Sequence, residues 1–154
     1  MVVSKNITIR DCSFERCRGL ASETVDGGVI EDVVVKNLTM KEVTTAPLFI
    51  CLGNRVRGPD NPPVGAVRRI SISNVPVRDA EARFASQIVG LVGHPIQDVR
   101  SSDLTIKYRG GGTADEAKLE PAENARGHPA PSMFGTWPVY GSFVRHVAGS
   151  PLSG

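Results

Sequence analysis

A short pattern that recurs four times constrains this chain more than any other feature of its sequence. The four copies align without gaps, and successive copies begin roughly 30 residues apart, which is the spacing typical of stacked repeat architectures. The copies occupy residues 6–14, 32–40, 69–77 and 98–106. Each copy is too short to bury an apolar face alone, so the copies are expected to stack on one another.

The positions within each copy predict two short strands separated by a corner. The second, seventh and ninth positions are apolar in every copy, and the fourth is apolar in all but the last, where it is Ser101. Alternation with a period of two indicates a strand with one buried face. The sixth position is always Asn or Asp, residues that tolerate left-handed backbone and bond to nearby backbone groups. These corner residues are Asp11, Asn37, Asn74 and Asp103.

A second apolar patch follows each copy and is expected to form a further face of each turn of the solenoid. The patches lie at residues 19–21, 46–52, 87–92 and 140–144. The irregular spacing is explained if extra residues leave the stack as loops, at 55–65 and 109–138. We therefore predict one all-β domain spanning residues 1–154, with repeated rungs at 4–108, a loop insertion at 109–138 and a last strand at 139–148.

Stacking of the copies predicts columns of like residues and two open ends. Ile7, Val33, Ile70 and Val99 are expected to form one column, and Cys12, Leu38, Val75 and Leu104 another. The first and last rungs would expose unpaired strand edges, which proteins normally pair or cap. The sequence at either end contains no evident cap, so we expect neighbouring rungs or another chain to cover these ends. A homo-oligomer formed through the open ends is the resulting expectation.

Composition excludes several classes of function. Eighteen basic and sixteen acidic residues give a net charge of +2, and the basic residues are scattered without aromatic neighbours, so no nucleic-acid partner is expected. No apolar run approaches the roughly 20 residues of a membrane span, and the first residues contain no signal-peptide core. The three cysteines and three histidines show no metal-ligand spacing. We expect neither a membrane partner nor a metal site.

Four segments of the sequence resemble glycoside hydrolase family 28, the polygalacturonase and rhamnogalacturonase family. They are residues 18–40, their continuation at 46–50, the loop 58–64 and the strand 68–75. The resemblance covers residues 4–108, with a less specific likeness at 131–135 and 140–146. It implies the C-terminal rungs of a right-handed parallel β-helix of about four rungs, with one long insertion. It also implies hydrolysis of pectic polysaccharides such as galacturonan without a cofactor, in a secreted or periplasmic protein.

The motifs that carry chemistry in that family are absent from this chain. They are Asn-Thr-Asp, Asp-Asp, Gly-His-Gly and Arg-Ile-Lys, and the segment Ala21-Ser22-Glu23 takes the place of the last. We expect the other three motifs to lie upstream of Met1. The leading expectation is a pectin-type polysaccharide hydrolase by resemblance. The alternatives are a non-catalytic carbohydrate-binding module, a self-assembling β-helix module, or a truncated fragment without a selected role.

Glu23 and Asp26 are the candidate catalytic residues, since they are carboxylates three residues apart before Gly27-Gly28. Glycoside hydrolysis needs one carboxylic acid to protonate the leaving oxygen and a second to activate water. The alternative is a solvated turn in which Asp26 fixes the bend. Arg18, Arg55 and Arg57 are candidates for binding an anionic sugar through bidentate hydrogen bonds, although surface arginines are often merely solvated.

Aromatic residues cluster around the long insertion and give the last candidate site. Sugars present C–H faces that pack on aromatic rings, so Trp137 and Tyr140 are candidate substrate-binding residues, with Tyr108 and Phe134 nearby. An equally good interpretation is that these rings cap the end of the solenoid.

Overall fold

The computed structural model describes residues 2–58, 60–135, 137 and 141–149, and over these residues the protein is all-β. Two short 3-10 helices, Glu116–Lys118 and Pro131–Phe134, are the only helical elements in this part of the chain. None of its helices is long and apolar enough to cross a membrane. The strands are β1 (Val3–Glu15), β2 (Leu20–Thr24), β3 (Val29–Lys41), β4 (Leu48–Leu52), β5 (Ala66–Ala80), β6 (Ser86–Val89), β7 (Ile96–Tyr108), β8 (Ser142–Arg145) and β9 (Val147–Ala148).

The strands form two parallel sheets that the chain visits alternately. The long sheet has the order β1-β3-β5-β7-β9, and the short sheet has the order β2-β4-β6-β8. Every pairing between these strands is parallel, so each strand lies beside the equivalent strand of the previous repeat. The segment expected to be one last strand is divided into β8, which extends the short sheet, and β9, which extends the long sheet.

The register of the long sheet confirms the stacking of the repeats. Ile7 pairs with Val33, Val33 with Ile70 and Ile70 with Val99, as the aligned copies predicted. These inward residues contribute to one apolar cluster that also contains Leu48, Ile50 and Ile88 of the short sheet, so the main core lies between the two sheets. Burial is complete in the middle rungs and only partial in β1, which has a neighbouring strand on one side only within the described chain.

The predicted corners have the left-handed backbone that Asn and Asp favour. Their φ angles lie between 52° and 56°, and their side chains form a ladder along the stack. Asn37 Nδ2 donates to Asp11 Oδ1 at 2.9 Å, and Asn74 Nδ2 donates to Asn37 Oδ1 at 3.0 Å. The second and third rungs therefore each donate to the rung before them.

Two further columns of left-handed residues were not predicted. The first lies at the opening position of each copy, and the second lies near the end of the first three long strands. Asn and Asp, which favour this conformation, occupy four of these positions, but Arg16, Glu42 and Arg69 do not favour it and interrupt the sequence signal. Ion pairs between rungs join some of them, such as Arg69 with Asp32 and Arg16 with Glu42. The members are Asn6, Asp32, Arg69 and Asp98, and Arg16, Glu42 and Asp79.

Candidate functional site

The outer face of the short sheet, which points away from the main core, is built from two rows of side chains. One row consists of Ala21, Phe49, Gln87 and Phe143, which lie in register on β2, β4, β6 and β8. The other row consists of Glu23, Cys51, Val89 and Arg145, in register on the same strands. Alternate residues such as Leu48 and Ile50 point into the main core, because side chains along a strand alternate between faces.

Part of the long insertion folds back over this face. We call residues 121–135 together with Trp137 the covering segment. Trp137 packs with Ala85 and Val89 and contacts the Phe143 ring, their centroids 4.3 Å apart. Phe134 and Met133 pack against a second apolar cluster that includes Phe49 and Cys51.

Hydrogen bonds tie the same segment to strand side chains. Gln87 Nε2 donates to the Pro131 carbonyl at 3.2 Å, and Arg145 Nη1 donates to the Pro121 carbonyl at 2.6 Å. Gln87 is fully buried, and its amide makes a polar contact between the short sheet and the covering segment, whose other contacts there are mainly apolar. The segment is therefore an integral layer of the fold.

The covering segment leaves a cleft of about 320 Å³ near β2, at the first rung. Three ionisable side chains, Arg18, Glu23 and His128, face this cleft, together with Thr45 and the ring of Phe49. Its remaining wall comes from residues 129–131 of the covering segment. Two parts of the chain that are far apart in sequence thus form one site. Arg18 precedes β2 and Glu23 lies on β2, whereas His128 comes from the insertion.

Glu23 is the one carboxylate among the described residues that line the cleft. Its partial removal from water raises the pKa of its carboxyl above the ordinary value, and the positive charges of His128 and Arg18 lower the pKa by less. A carboxyl group of this kind retains its proton to higher pH than a solvated one, which suits a hydrogen-bond or proton donor.

Cys51 lies beside Glu23 in the same row but is not a nucleophile in this setting. Burial, with a smaller contribution from the charge of Glu23, raises the pKa of the Cys51 thiol to about 12. The reactive form of cysteine is the thiolate, which is negligible near neutral pH under these conditions. The polar chemistry of the cleft therefore rests with Glu23, Arg18 and His128.

Asp26, the second candidate carboxylate, lies outside the cleft lining and has structural partners. Its Oδ1 accepts a hydrogen bond from the Val56 amide at 2.8 Å, and Arg55 Nε lies 3.7 Å from its Oδ2. Asp26 itself has a left-handed φ of 51° immediately before Gly27. This arrangement agrees with the interpretation that Asp26 fixes the bend, and it places Arg55 beside Asp26 instead of at the cleft. Arg57 is exposed on the same loop and does not line the cleft.

The aromatic candidate Trp137 is buried in an apolar interface, whereas a platform for sugars requires an exposed ring. Trp137 is 0% exposed, so its ring cannot stack on a sugar in this conformation. It also does not cap the end of the stack, since it packs on the outer face of the short sheet. Phe134 belongs to the same packing, with its ring edge-on to Trp137 at 5.3 Å. Tyr140 lies outside the described residues.

His128 is the cleft residue that the sequence alone did not assign. It lies within a Pro-rich insertion with no periodic pattern, so no local signal indicated that this loop returns to β2. No group of three or more metal-ligating side chains occurs within the described ranges. No family model, no curated protein and no solved structure matches this chain.

Proposed function

We propose that the chain is a right-handed parallel β-helix of the polygalacturonase type and that its cleft binds an acidic polysaccharide. The alternation of the chain between two parallel sheets supports the helical path, since each turn passes once through each sheet. Parallel strands joined by a crossover are right-handed in about 98% of proteins, which supports the handedness.

The observation that carries the binding proposal is the composition of the cleft. Arg18 offers a planar guanidinium that can hold a sugar carboxylate through two hydrogen bonds. Thr45, Glu23 and His128 add groups that can pair with sugar hydroxyls. Binding is favoured over hydrolysis because only one carboxylate lines the cleft within the described chain, whereas the usual glycosidase mechanism uses two.

Calorimetric titration with oligogalacturonides tests this proposal, with a neutral galactan oligomer of equal length as the reference ligand. The wild type is expected to bind the acidic oligomer, and Arg18→Gln is expected to bind it about tenfold more weakly, since a charged hydrogen bond contributes about 1.5–3 kcal/mol. Arg78→Gln is the matched control, because Arg78 lies on the long sheet, away from the cleft. Equal affinity for acidic and neutral oligomers, or an unchanged affinity in Arg18→Gln, would reject the proposal.

The pH dependence of binding tests the role of Glu23. The ionised carboxylate repels sugar carboxylates, and its raised pKa means that protonation begins above the usual range. Affinity is therefore expected to increase as the pH is lowered from neutrality, and to begin to do so at a higher pH than protonation of a solvated carboxyl group would cause. Glu23→Gln should bind with a flatter pH profile. His128→Gln should retain the pH dependence that Glu23 causes.

Hydrolysis is the second candidate, and the raised pKa of Glu23 is the observation that favours it. In that reaction the Glu23 carboxyl would give its proton to the leaving glycosidic oxygen as the C–O bond breaks. Water would add to the anomeric carbon and lose a proton to a base, and the His128 imidazole is the candidate acceptor among the described residues of the cleft. A reducing-end assay on polygalacturonate, rhamnogalacturonan and neutral glycans tests it: release by the wild type that is lost in Glu23→Gln and His128→Gln supports hydrolysis. Binding without any release supports the binding module.

A further inference from the structure

A second cavity, of about 290 Å³, lies where the covering segment passes the loops that follow β4 and β6. None of its lining residues is shared with the cleft. Its aliphatic wall consists of Val56 and Val64 from the loop after β4, and Leu91 and Val92 from the turn after β6. We call this space the loop cavity.

Hydrogen bonds hold the walls of the loop cavity in place. The backbones of Leu91 and His94 exchange two hydrogen bonds, at 3.1 and 2.9 Å, and Val92 lies at the tip of the turn that these bonds close. The Asn54 amide donates to the Ala125 carbonyl at 2.8 Å, which joins the loop after β4 to the covering segment. The cavity is therefore formed before a ligand enters, and a preformed site has a lower ordering cost on binding.

Val56 lies on the aliphatic wall in a backbone conformation that its side chain disfavours. Its φ is 55°, in the left-handed region, where a β-branched residue is an outlier. The Asp26 carboxylate holds this conformation by accepting a hydrogen bond from the Val56 amide at 2.8 Å. Val56 is nevertheless 38% exposed, so the fold gains little burial in return for the strain. Strain of this kind is concentrated at ligand-binding sites, and here it lies beside a cavity.

The polar groups of the loop cavity favour an anion. Glu123 is the one acidic residue in the described lining, and its carboxylate already has two partners, His146 Nε2 at 2.7 Å and Arg145 Nε at 3.4 Å. Arg126 is exposed and forms no ion pair within the described chain. His94 adds an imidazole that can donate a hydrogen bond. A carboxylate entering the cavity would therefore meet a guanidinium whose charge is not already paired.

We propose that the loop cavity binds a short-chain aliphatic carboxylate, with the hydrocarbon chain on the aliphatic wall and the carboxylate on Arg126. The chain would bury apolar surface that Val56 and Val92 leave in water, where Val92 is 71% exposed. A sugar fits this cavity less well, because the aliphatic wall offers no hydrogen-bond partner to hydroxyl groups. The proposal does not depend on glycan binding at the cleft.

Methyl NMR spectroscopy tests the proposal, with hexanoate as the probe. Hexanoate is expected to shift the methyl signals of Val56, Val64 and Val92 in a saturable manner. Acetate, which has the charge without the chain, and hexanamide, which has the chain without the charge, should each bind at least tenfold more weakly. From butyrate to hexanoate, affinity should increase by up to about fourfold for each CH₂ group that is buried.

Arg126→Gln separates recognition of the charge from burial of the chain. This variant should bind hexanoate at least threefold more weakly than the wild type and should bind hexanamide equally well. Arg100→Gln is the matched control, because Arg100 is an exposed arginine of the long sheet that does not line the loop cavity. Its affinity for hexanoate should equal that of the wild type.

Val56→Asn tests the strained part of the aliphatic wall. Asn tolerates left-handed backbone, so the urea midpoint of this variant should be no lower than that of the wild type. The substitution replaces two methyl groups with an amide, so the affinity for hexanoate should fall at least threefold. Weaker binding by a fully folded variant would thus assign the Val56 side chain to the ligand site.

Three outcomes would overturn the proposal. The first is the absence of a saturable shift at the methyl groups of the aliphatic wall. The second is equal affinity of the wild type for hexanoate and hexanamide, or an affinity for hexanoate that Arg126→Gln and Val56→Asn both leave unchanged. The third is a set of shifts at Ala21 and Thr45 instead, which would place hexanoate in the cleft.

Discussion

The outer faces of the long and short sheets differ in what covers them. On the long sheet, one outward row consists of Thr8, Val34, Ser71 and Arg100, and Val34 is 39% exposed. On the short sheet, the outward Phe49, Cys51, Gln87 and Val89 are all buried beneath the covering segment. Both sheets are built by stacking repeats, yet the outer face of the long sheet contacts solvent, whereas that of the short sheet packs against the covering segment and forms a second apolar core.

This difference explains where the cleft lies. No described segment covers the outward row of the long sheet, so a charge such as that of Arg100 stays in contact with water and is screened. Near the first rung the covering segment forms one wall of the cleft and encloses Glu23 only partly. This partial burial is the main cause of the raised pKa of the Glu23 carboxyl. The site therefore depends on the insertion more than on the repeat.

The largest effect is expected from removing the main contact of the covering segment. Trp137→Ala should lower the free energy of unfolding by about 3–5 kcal/mol, because a fully buried ring that packs on Phe143 is replaced by a cavity. Val34→Ala, which truncates an outward residue of the long sheet, should cost less than about 0.5 kcal/mol. Urea denaturation measures both values.

Trp137→Phe is the matched control for that comparison. Trp137 Nε1 is buried without a hydrogen-bond partner among the described residues, so Phe retains much of the packing and removes an unsatisfied donor. Its cost should be well below that of Trp137→Ala. If Trp137→Ala and Val34→Ala destabilise the protein equally, the covering segment is not a structural layer and the contrast between the faces fails.

Much of the long sheet was predictable from the sequence, because its determinants are local and repeated. The corner column from Asp11 to Asp103 and the register of Ile7 on Val33 both followed from aligning the copies. The covering segment was not predictable in the same way, since a Pro-rich insertion does not specify what it packs against. A signal was nevertheless present: β4 reads Leu-Phe-Ile-Cys-Leu without polar alternation, which is typical of a strand buried on both faces.

The candidate site shows the same division. Glu23 was assigned from the sequence as a carboxylate close to Asp26, and Arg18 as a candidate for binding an anionic sugar, whereas His128 was found only through the folded insertion. The interpretation of Asp26 as a turn residue followed from its local sequence before Gly27-Gly28, and only its contacts with Arg55 and Val56 required the folded structure. Burial of Trp137 was missed because an aromatic residue in a loop gives the same sequence signal whether its ring binds a sugar or fills a core.

A smaller effect is expected at the centre of the corner ladder. Asn37→Ala should cost about 2–3 kcal/mol, since it removes a donor to Asp11 and an acceptor for Asn74 and also places a Cβ residue without a polar side chain at a φ of 55°. Asn37→Gly removes the same hydrogen bonds but adopts left-handed backbone freely, so its cost should be about 1 kcal/mol lower. Equal costs would indicate that the amide contacts, and not the backbone conformation, determine the stability of this corner.

The smallest effect, and the only gain, is expected where the ladder ends. Asn74 donates to Asn37, but the corner residue of the next rung is Asp103, whose carboxylate has no hydrogen to donate to Asn74. Asp103→Asn supplies the N–H that Asn37 and Asn74 provide in the second and third rungs, and it retains a residue suited to a φ of 53°. Stability should therefore rise by about 0.5–1 kcal/mol in urea denaturation. Asp98→Asn, the same charge change at another left-handed position of β7, should give no gain, because Asp98 lies outside the amide ladder. A gain in both variants would mean that net charge, and not continuity of the ladder, limits this end of the long sheet.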